Sequence, residues 1–157
     1  MKKLFFLLLI LPFSSFAQLA CDAPEFRQFD FWIGEWDVYL NDTVYAGESK
    51  VSLILDSCVI FEEWTSKNLS GKSFNSYSPS RKQWMQTWVD SQGGTVHFAG
   101  YWDGESISLE GEGPEDSYYL MIFTPLKDGK VRQVWKLSQD QCETWVDIFN
   151  GLYIPKK

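Results

Sequence analysis

Residues 82–111 read, in order, KQWMQTWVD, SQGG, TVHFAGYW, DG and ESISLEG. Apolar and polar side chains alternate along the long runs, which are cut by Gln92-Gly93-Gly94 and by Asp103-Gly104. Alternation at period two marks a strand with one buried face. Asp-Gly between two such runs marks a tight hairpin. The stretch therefore predicts three consecutive antiparallel strands, 82–90, 95–102 and 105–111.

The same reading extends in both directions. It predicts strands at 35–40, 44–55, 58–66 and 72–78 on one side, and at 117–124, 130–138 and 143–153 on the other. Between them stand Asn41-Asp42, Asp56-Ser57, Ser70-Gly71, Ser78-Pro79-Ser80, Gly113-Pro114 and Asp128-Gly129. No segment sustains a helical period, apart from one turn at Pro24–Phe29. About ten strands with tight turns predict an all-β fold, an antiparallel up-and-down meander. A sheet of that length curls, and closure removes its exposed edges. The expected architecture is an up-and-down β-barrel with a short N-terminal helical turn; a two-sheet sandwich is the alternative. A barrel of about eight to ten strands either packs solid or holds one small ligand.

Residues 1–17 stand apart from this pattern. Lys2-Lys3 precedes an apolar run from Leu4 to Phe13, broken only by Pro12, and Ser15-Phe16-Ala17 follows. This is the layout of a cleaved secretory signal peptide. The run is shorter than the roughly 20 residues of a membrane span. The expected organisation is a signal peptide, 1–17, and a single barrel domain, 18–157, periplasmic or secreted. Ala20-Cys21 raises a rival, lipid anchoring through Cys21, but Gln18 stands where a lipoprotein signal carries an apolar residue.

The chain has 14 basic and 21 acidic residues, a formal charge of −7, and the leader takes two of the lysines with it. An acidic surface repels phosphate backbones and anionic bilayers. Neither nucleic acid nor membrane insertion is expected, and a small-molecule ligand is the expected partner. Three cysteines, Cys21, Cys58 and Cys142, allow one disulfide and leave one thiol over. A single histidine, His97, and no Cys-x-x-Cys give zinc no ordinary ligand set. Phosphate-loop and dinucleotide fingerprints are missing from the sequence. No cofactor is expected.

Eight tryptophans, seven tyrosines and twelve phenylalanines are the strongest compositional feature. They suit a barrel core or the walls of a cavity. Split by face, the strands give Ile60, Glu62 and Trp64; Trp84, Gln86, Trp88 and Asp90; and Val131, Gln133, Trp135 and Leu137. Strand 72–78 gives Ser73, Asn75 and Tyr77 against Phe74 and Ser76. A tryptophan repeatedly shares a face with an amide or carboxylate two residues away. An apolar core gives such groups no partner, whereas a cavity with polar groups among aromatic walls does. Glu62, Trp64, Asn75, Gln86, Trp88, Gln133 and Trp135 are therefore the candidate ligand-binding residues. The alternative, in which these sets face outward, stays open, because period alone does not say which face is inside.

The segment Phe29-Asp30-Phe31-Trp32-Ile33-Gly34-Glu35-Trp36-Asp37-Val38 resembles the opening of a family of bacterial secreted β-barrel domains of unknown function, related to lipocalins and calycins. Cys58–Trp64, Gly71–Asn75, Gln86–Asp90, Val131–Trp135 and Thr144-Trp145 continue the resemblance in order over nearly all of the chain after the leader. Gly34-x-Trp36 is similar to the Gly-x-Trp that opens the first lipocalin strand. There the tryptophan plugs one end of the barrel behind a helical turn, and an arginine caps it; Arg132 is the candidate here. The resemblance implies a barrel and, from its relatives, flat or apolar ligands, haem included, and occasional enzymes. Cys142 stands in the Gln139–Gln141 turn where the resembling family more usually has a small residue. This leaves Cys21 and Cys58 as the expected disulfide, with Cys58 beside a turn that the N-terminal segment can cross.

Fold does not fix function. The leading expectation is an exported protein that binds a small, partly apolar or aromatic ligand inside the barrel. One alternative is an enzyme using a cavity carboxylate, Glu62, Glu63 or Asp90, as general acid or base, with carbohydrate or lipid-like substrates. Another is a haem-binding barrel, for which His97 is the only imidazole. A solid barrel serving as an interaction module is a third. The lone histidine and the lack of a Gly-x-Ser-x-Gly elbow argue against a Ser-His-Asp hydrolase.

Overall fold

Positive φ angles mark where the chain reverses. Asn41 and Asp42 take φ of 47° and 71°, the left-handed pair that a tight hairpin demands, and Gly104 and Gly129 take 102° and 76°. The computed structural model describes residues 21–157, and the expected leader lies outside the described residues. Ten strands follow one another: β1 (Gly34–Leu40), β2 (Val44–Ile54), β3 (Val59–Ser66), β4 (Ser70–Ser78), β5 (Gln83–Asp90), β6 (Thr95–Trp102), β7 (Ile107–Glu112), β8 (Tyr118–Pro125), β9 (Val131–Ser138) and β10 (Val146–Pro155).

Each strand pairs antiparallel with its sequence neighbours, and β1 pairs with β10, so the sheet closes into an up-and-down barrel rather than a sandwich. The closing register sets Trp36 opposite Pro155 and Val38 opposite Tyr153. Two strands begin more than one residue later than the alternation suggests. Asp103 Oδ1 accepts the N–H groups of Glu105 and Ser106 and draws both into the turn before β7. Asp140 accepts the N–H and the hydroxyl of Thr144, delaying β10 to Val146.

One end of the barrel is shut from within. The anticipated helical turn is two 3-10 turns, Pro24–Arg27 and Asp30–Trp32. They carry Phe29 and Trp32 into full burial. Phe29 stacks on Trp32 at 5.1 Å between centroids and meets Phe123 and Trp84 edge-on at 4.9 and 5.4 Å. Trp36 closes over this cluster, its indole N–H donating to Trp32 O at 3.0 Å. Gly34 belongs to the same packing: a Cβ there would meet the Trp36 ring at 3.2 Å. Arg132, the candidate cap, does not reach Trp36. It alternates with the inward Val131 and Gln133 on β9 and so sits on the outside, paired with Asp42 and donating to Asn150.

Cys21 and Cys58 form the disulfide, with their Cα atoms 5.1 Å apart, and Cys142 is free and exposed. A sulfur so engaged carries no lipid. The bond ties the plug to the β2–β3 turn, and the Arg27 guanidinium reinforces it by donating to Ser57 O. Among the described residues no helix is long and apolar enough to cross a membrane.

The sequence separation of 37 between the bridged residues implies a stabilisation of about 4 kcal/mol in the chain-entropy account. The double variant Cys21→Ser/Cys58→Ser is expected to fold and to lose about 3–4 kcal/mol in urea melts. A loss below about 1 kcal/mol would mean that aromatic packing alone holds the plug.

Candidate functional site

The faces of the strands decide what reaches the interior. Ile60, Glu62 and Trp64 of β3 point inward, as do Gly71, Ser73 and Asn75 of β4, Trp84, Gln86 and Trp88 of β5, and Val131, Gln133 and Trp135 of β9. At the plugged end these positions are sealed and, Asn75 apart, apolar. Toward the other end the ring outgrows its own side chains, and a cavity of about 450 Å³ opens.

Its walls are aromatic. Trp64, Trp88, Trp135 and Phe149 surround the opening, with Leu40, Tyr45 and the β3–β4 turn Lys67–Leu69 at the rim. Trp64 meets Phe149 edge-on at 6.1 Å, and Trp135 packs on Tyr119 and Phe98 at 5.3 and 5.8 Å. Gly71 makes room for one wall: a Cβ there would come within 2.3 Å of the Trp88 ring.

The floor is polar and deeply buried. Glu62, Gln86, Met121, Gln133 and Tyr153 line it. Glu62 is 3% exposed, and each of its oxygens accepts one serine hydroxyl, Ser49 at 2.9 Å and Ser73 at 3.0 Å. Asn75 Nδ2 donates to Ile60 O at 3.1 Å and to Ser73 Oγ at 2.9 Å, and Asn75 Oδ1 accepts from Gln86 Nε2 at 2.6 Å. Tyr153 donates its hydroxyl to Gln133 Oε1, and Gln133 Nε2 faces the Met121 sulfur at 3.1 Å.

Burial dominates the acid–base state of this floor. Removal from water pushes Glu62 up to about 7, against the opposing pull of the two serine hydrogen bonds. Burial, and then the neighbouring Glu62 charge, hold the Tyr153 hydroxyl well above its usual range, so it remains a donor.

Six of the seven candidate residues, Glu62, Trp64, Gln86, Trp88, Gln133 and Trp135, line this one cavity. The seventh, Asn75, lies fully buried beneath the floor and holds Gln86 instead of lining the space. The other carboxylates go elsewhere. Asp90 shares the β5 face but turns to accept the N–H groups of Gln92 and Gly94, both at 2.9 Å, so it does not converge with Glu62. Glu63 pairs with Lys72 on the outside. His97 is exposed on the outer face, against Thr87 at 3.0 Å, and no imidazole reaches the interior for haem.

Sequence reasoning passed over Tyr153, Met121, Ser49 and Ser73. Phe149, Gly151 and Tyr153 alternate on the inner face of β10, the only local signal for the tyrosine. The two serines carry none, since a small hydroxyl residue in a strand reads as neutral.

The buried carboxyl has a pH signature. Below pH 4.5 Glu62 is protonated whether the chain is folded or not. Between that value and about 7 the folded state keeps the proton that the unfolded state gives up, so stability falls as pH rises across this window and levels off above it. The fall is about 3 kcal/mol. Glu62→Gln is expected to remove it, so the difference between variant and parent in urea melts should grow from pH 4.5 to 7. Parallel curves for the two proteins would show that Glu62 does not titrate in this window.

Compared with the profiles of known protein families and with curated protein sequences, the chain matches none of them.

Proposed function

We infer that this chain is an exported binding protein that holds one small, flat, partly apolar molecule in the open end of its barrel. The observation that carries this reading is the cavity itself. A volume of about 450 Å³ lies within the range of about 300–1,000 Å³ typical of small-molecule sites. Its aromatic walls offer indole faces to a planar ligand, and its few floor groups fix the ligand's orientation. The Cys21–Cys58 disulfide supports a periplasmic or secreted location, where such bonds persist.

Glu62 favours a second reading. A buried carboxyl pushed up to about 7 suits general acid–base chemistry near neutral pH. In that case the same cavity turns over its occupant with Glu62 as general base toward water, and Glu62→Gln retains binding but abolishes hydrolysis of a p-nitrophenyl ester.

The binding reading is tested with N-phenyl-1-naphthylamine, a neutral flat fluorophore. It is expected to bind one-to-one with energy transfer from tryptophan. Trp135→Ala should weaken this binding about tenfold or more, since truncating a large aromatic anchor typically removes 2 kcal/mol or more. Trp36→Ala should instead cost about 3–5 kcal/mol in urea melts, as for a core aromatic. No saturable binding to the parent protein, or equal binding by parent and Trp135→Ala, would refute the assignment.

A further inference from the structure

The floor of the cavity is polarised by a chain of hydrogen bonds whose direction is fixed at one end. Ile60 O is a backbone carbonyl and can only accept. Asn75 must therefore turn its amide nitrogen toward Ile60, at 3.1 Å, and its oxygen toward Gln86. Gln86 in turn must offer its nitrogen to Asn75 at 2.6 Å, which directs its own oxygen away from Asn75. Among the described residues nothing donates to Gln86 Oε1. It is also not one of the sealed, partnerless side-chain atoms, which are Arg27 Nε, Asp30 Oδ1, Trp32 Nε1 and Trp135 Nε1. It therefore opens into the cavity that Gln86 lines.

A second group is oriented in the opposite sense. Tyr153 is held protonated and donates to Gln133 Oε1, so the Gln133 nitrogen points elsewhere. Its only acceptor among the described residues is the Met121 thioether at 3.1 Å, a weak one, and an amide nitrogen carries two hydrogens. The floor thus presents a committed acceptor on β5 and an under-used donor on β9.

We propose that the cavity selects planar ring molecules whose buried end carries both an N–H donor and a carbonyl acceptor, that is, aromatic lactams or ring amides. The N–H meets Gln86 Oε1 and the carbonyl meets Gln133 Nε2, while the ring lies among Trp64, Trp88 and Trp135. Carboxylate-headed ligands such as fatty acids are disfavoured. The floor holds an acid, Glu62, and the only basic residue on the lining, Lys67, is at the mouth. This specificity rests on the binding reading above.

Tryptophan-quenching titrations with 2-quinolone and 1-methyl-2-quinolone separate the two claims, with N-phenyl-1-naphthylamine as the marker of an open cavity. The methylated compound keeps the carbonyl and loses the donor. 2-Quinolone is expected to bind about tenfold more tightly, the scale of one buried acceptor left unpaired. In Gln86→Met the ratio should fall to about one. Equal binding of the two quinolones by the parent protein overturns the proposal, as does a ratio that persists in Gln86→Met and so reflects only the bulk of the methyl group. If the marker still binds in either case, the lactam specificity fails alone; if the marker does not bind, the binding reading fails with it. Should Gln86→Met not fold, Gln133→Met carries the test. It is expected to weaken both quinolones about tenfold relative to the marker, and an unchanged affinity overturns the proposal.

Discussion

The contact of Tyr153 with the plug holds the two halves of this molecule together. Its ring lies edge-on to Trp32 and Trp36, at 6.1 and 6.2 Å, while its hydroxyl donates to Gln133 on the cavity side. A ring of ten strands encloses more space than its own inward side chains fill, so the fold needs material from outside the sheet at one end. Phe29 and Trp32 supply it. The end they fill becomes solid core, and the end they do not reach remains a cavity. Tyr153 marks the boundary and faces both ways.

Above that boundary lies a layer that a solid barrel would not tolerate. Glu62, Ser49, Ser73, Asn75, Gln86 and Gln133 are all buried. Each unpaired member would cost about 1–3 kcal/mol, and the network of serine, amide and carboxylate contacts avoids most of that cost. The same network fixes the direction of every amide in it. A floor of aliphatic residues would be more stable and would present nothing to a ligand. Polar groups at this depth therefore belong to the cavity's chemistry more than to the barrel's stability.

The ten strands were legible because their turns are chemically explicit: Asn41-Asp42, Asp103-Gly104 and Asp128-Gly129 leave little choice about where the chain reverses. The exceptions are informative. Asp103 and Asp140 capture backbone donors two to four residues on, and alternation does not record such capture. Tryptophans paired with an amide or a carboxylate at period two pointed to the inward face of β3, β5 and β9, because a tryptophan beside such a group is a poor fit to an aliphatic core. The depth of each residue along the barrel was not legible. Asn75 and Asp90 share inward faces with cavity residues, yet one lies beneath the floor and the other folds back into a turn. Depth depends on the stagger between distant strands, which no local pattern encodes. Tyr153 was missed for the same reason.

Nine of the ten strand pairings join neighbours in sequence, so a short connection sets each of those registers. The β1–β10 seam has no such turn. Its alignment, Val38 opposite Tyr153, is chosen only by what packs inside. A slip of one residue would turn Tyr153 to solvent; a slip of two would keep it inside but move it along the barrel axis, away from Trp32 or from Gln133. The seam thus acts as a vernier: the aromatic plug at one end of the chain and the tyrosine near the other must agree before the ring can lock. A barrel closed out of register would have a displaced floor as well as a strained wall.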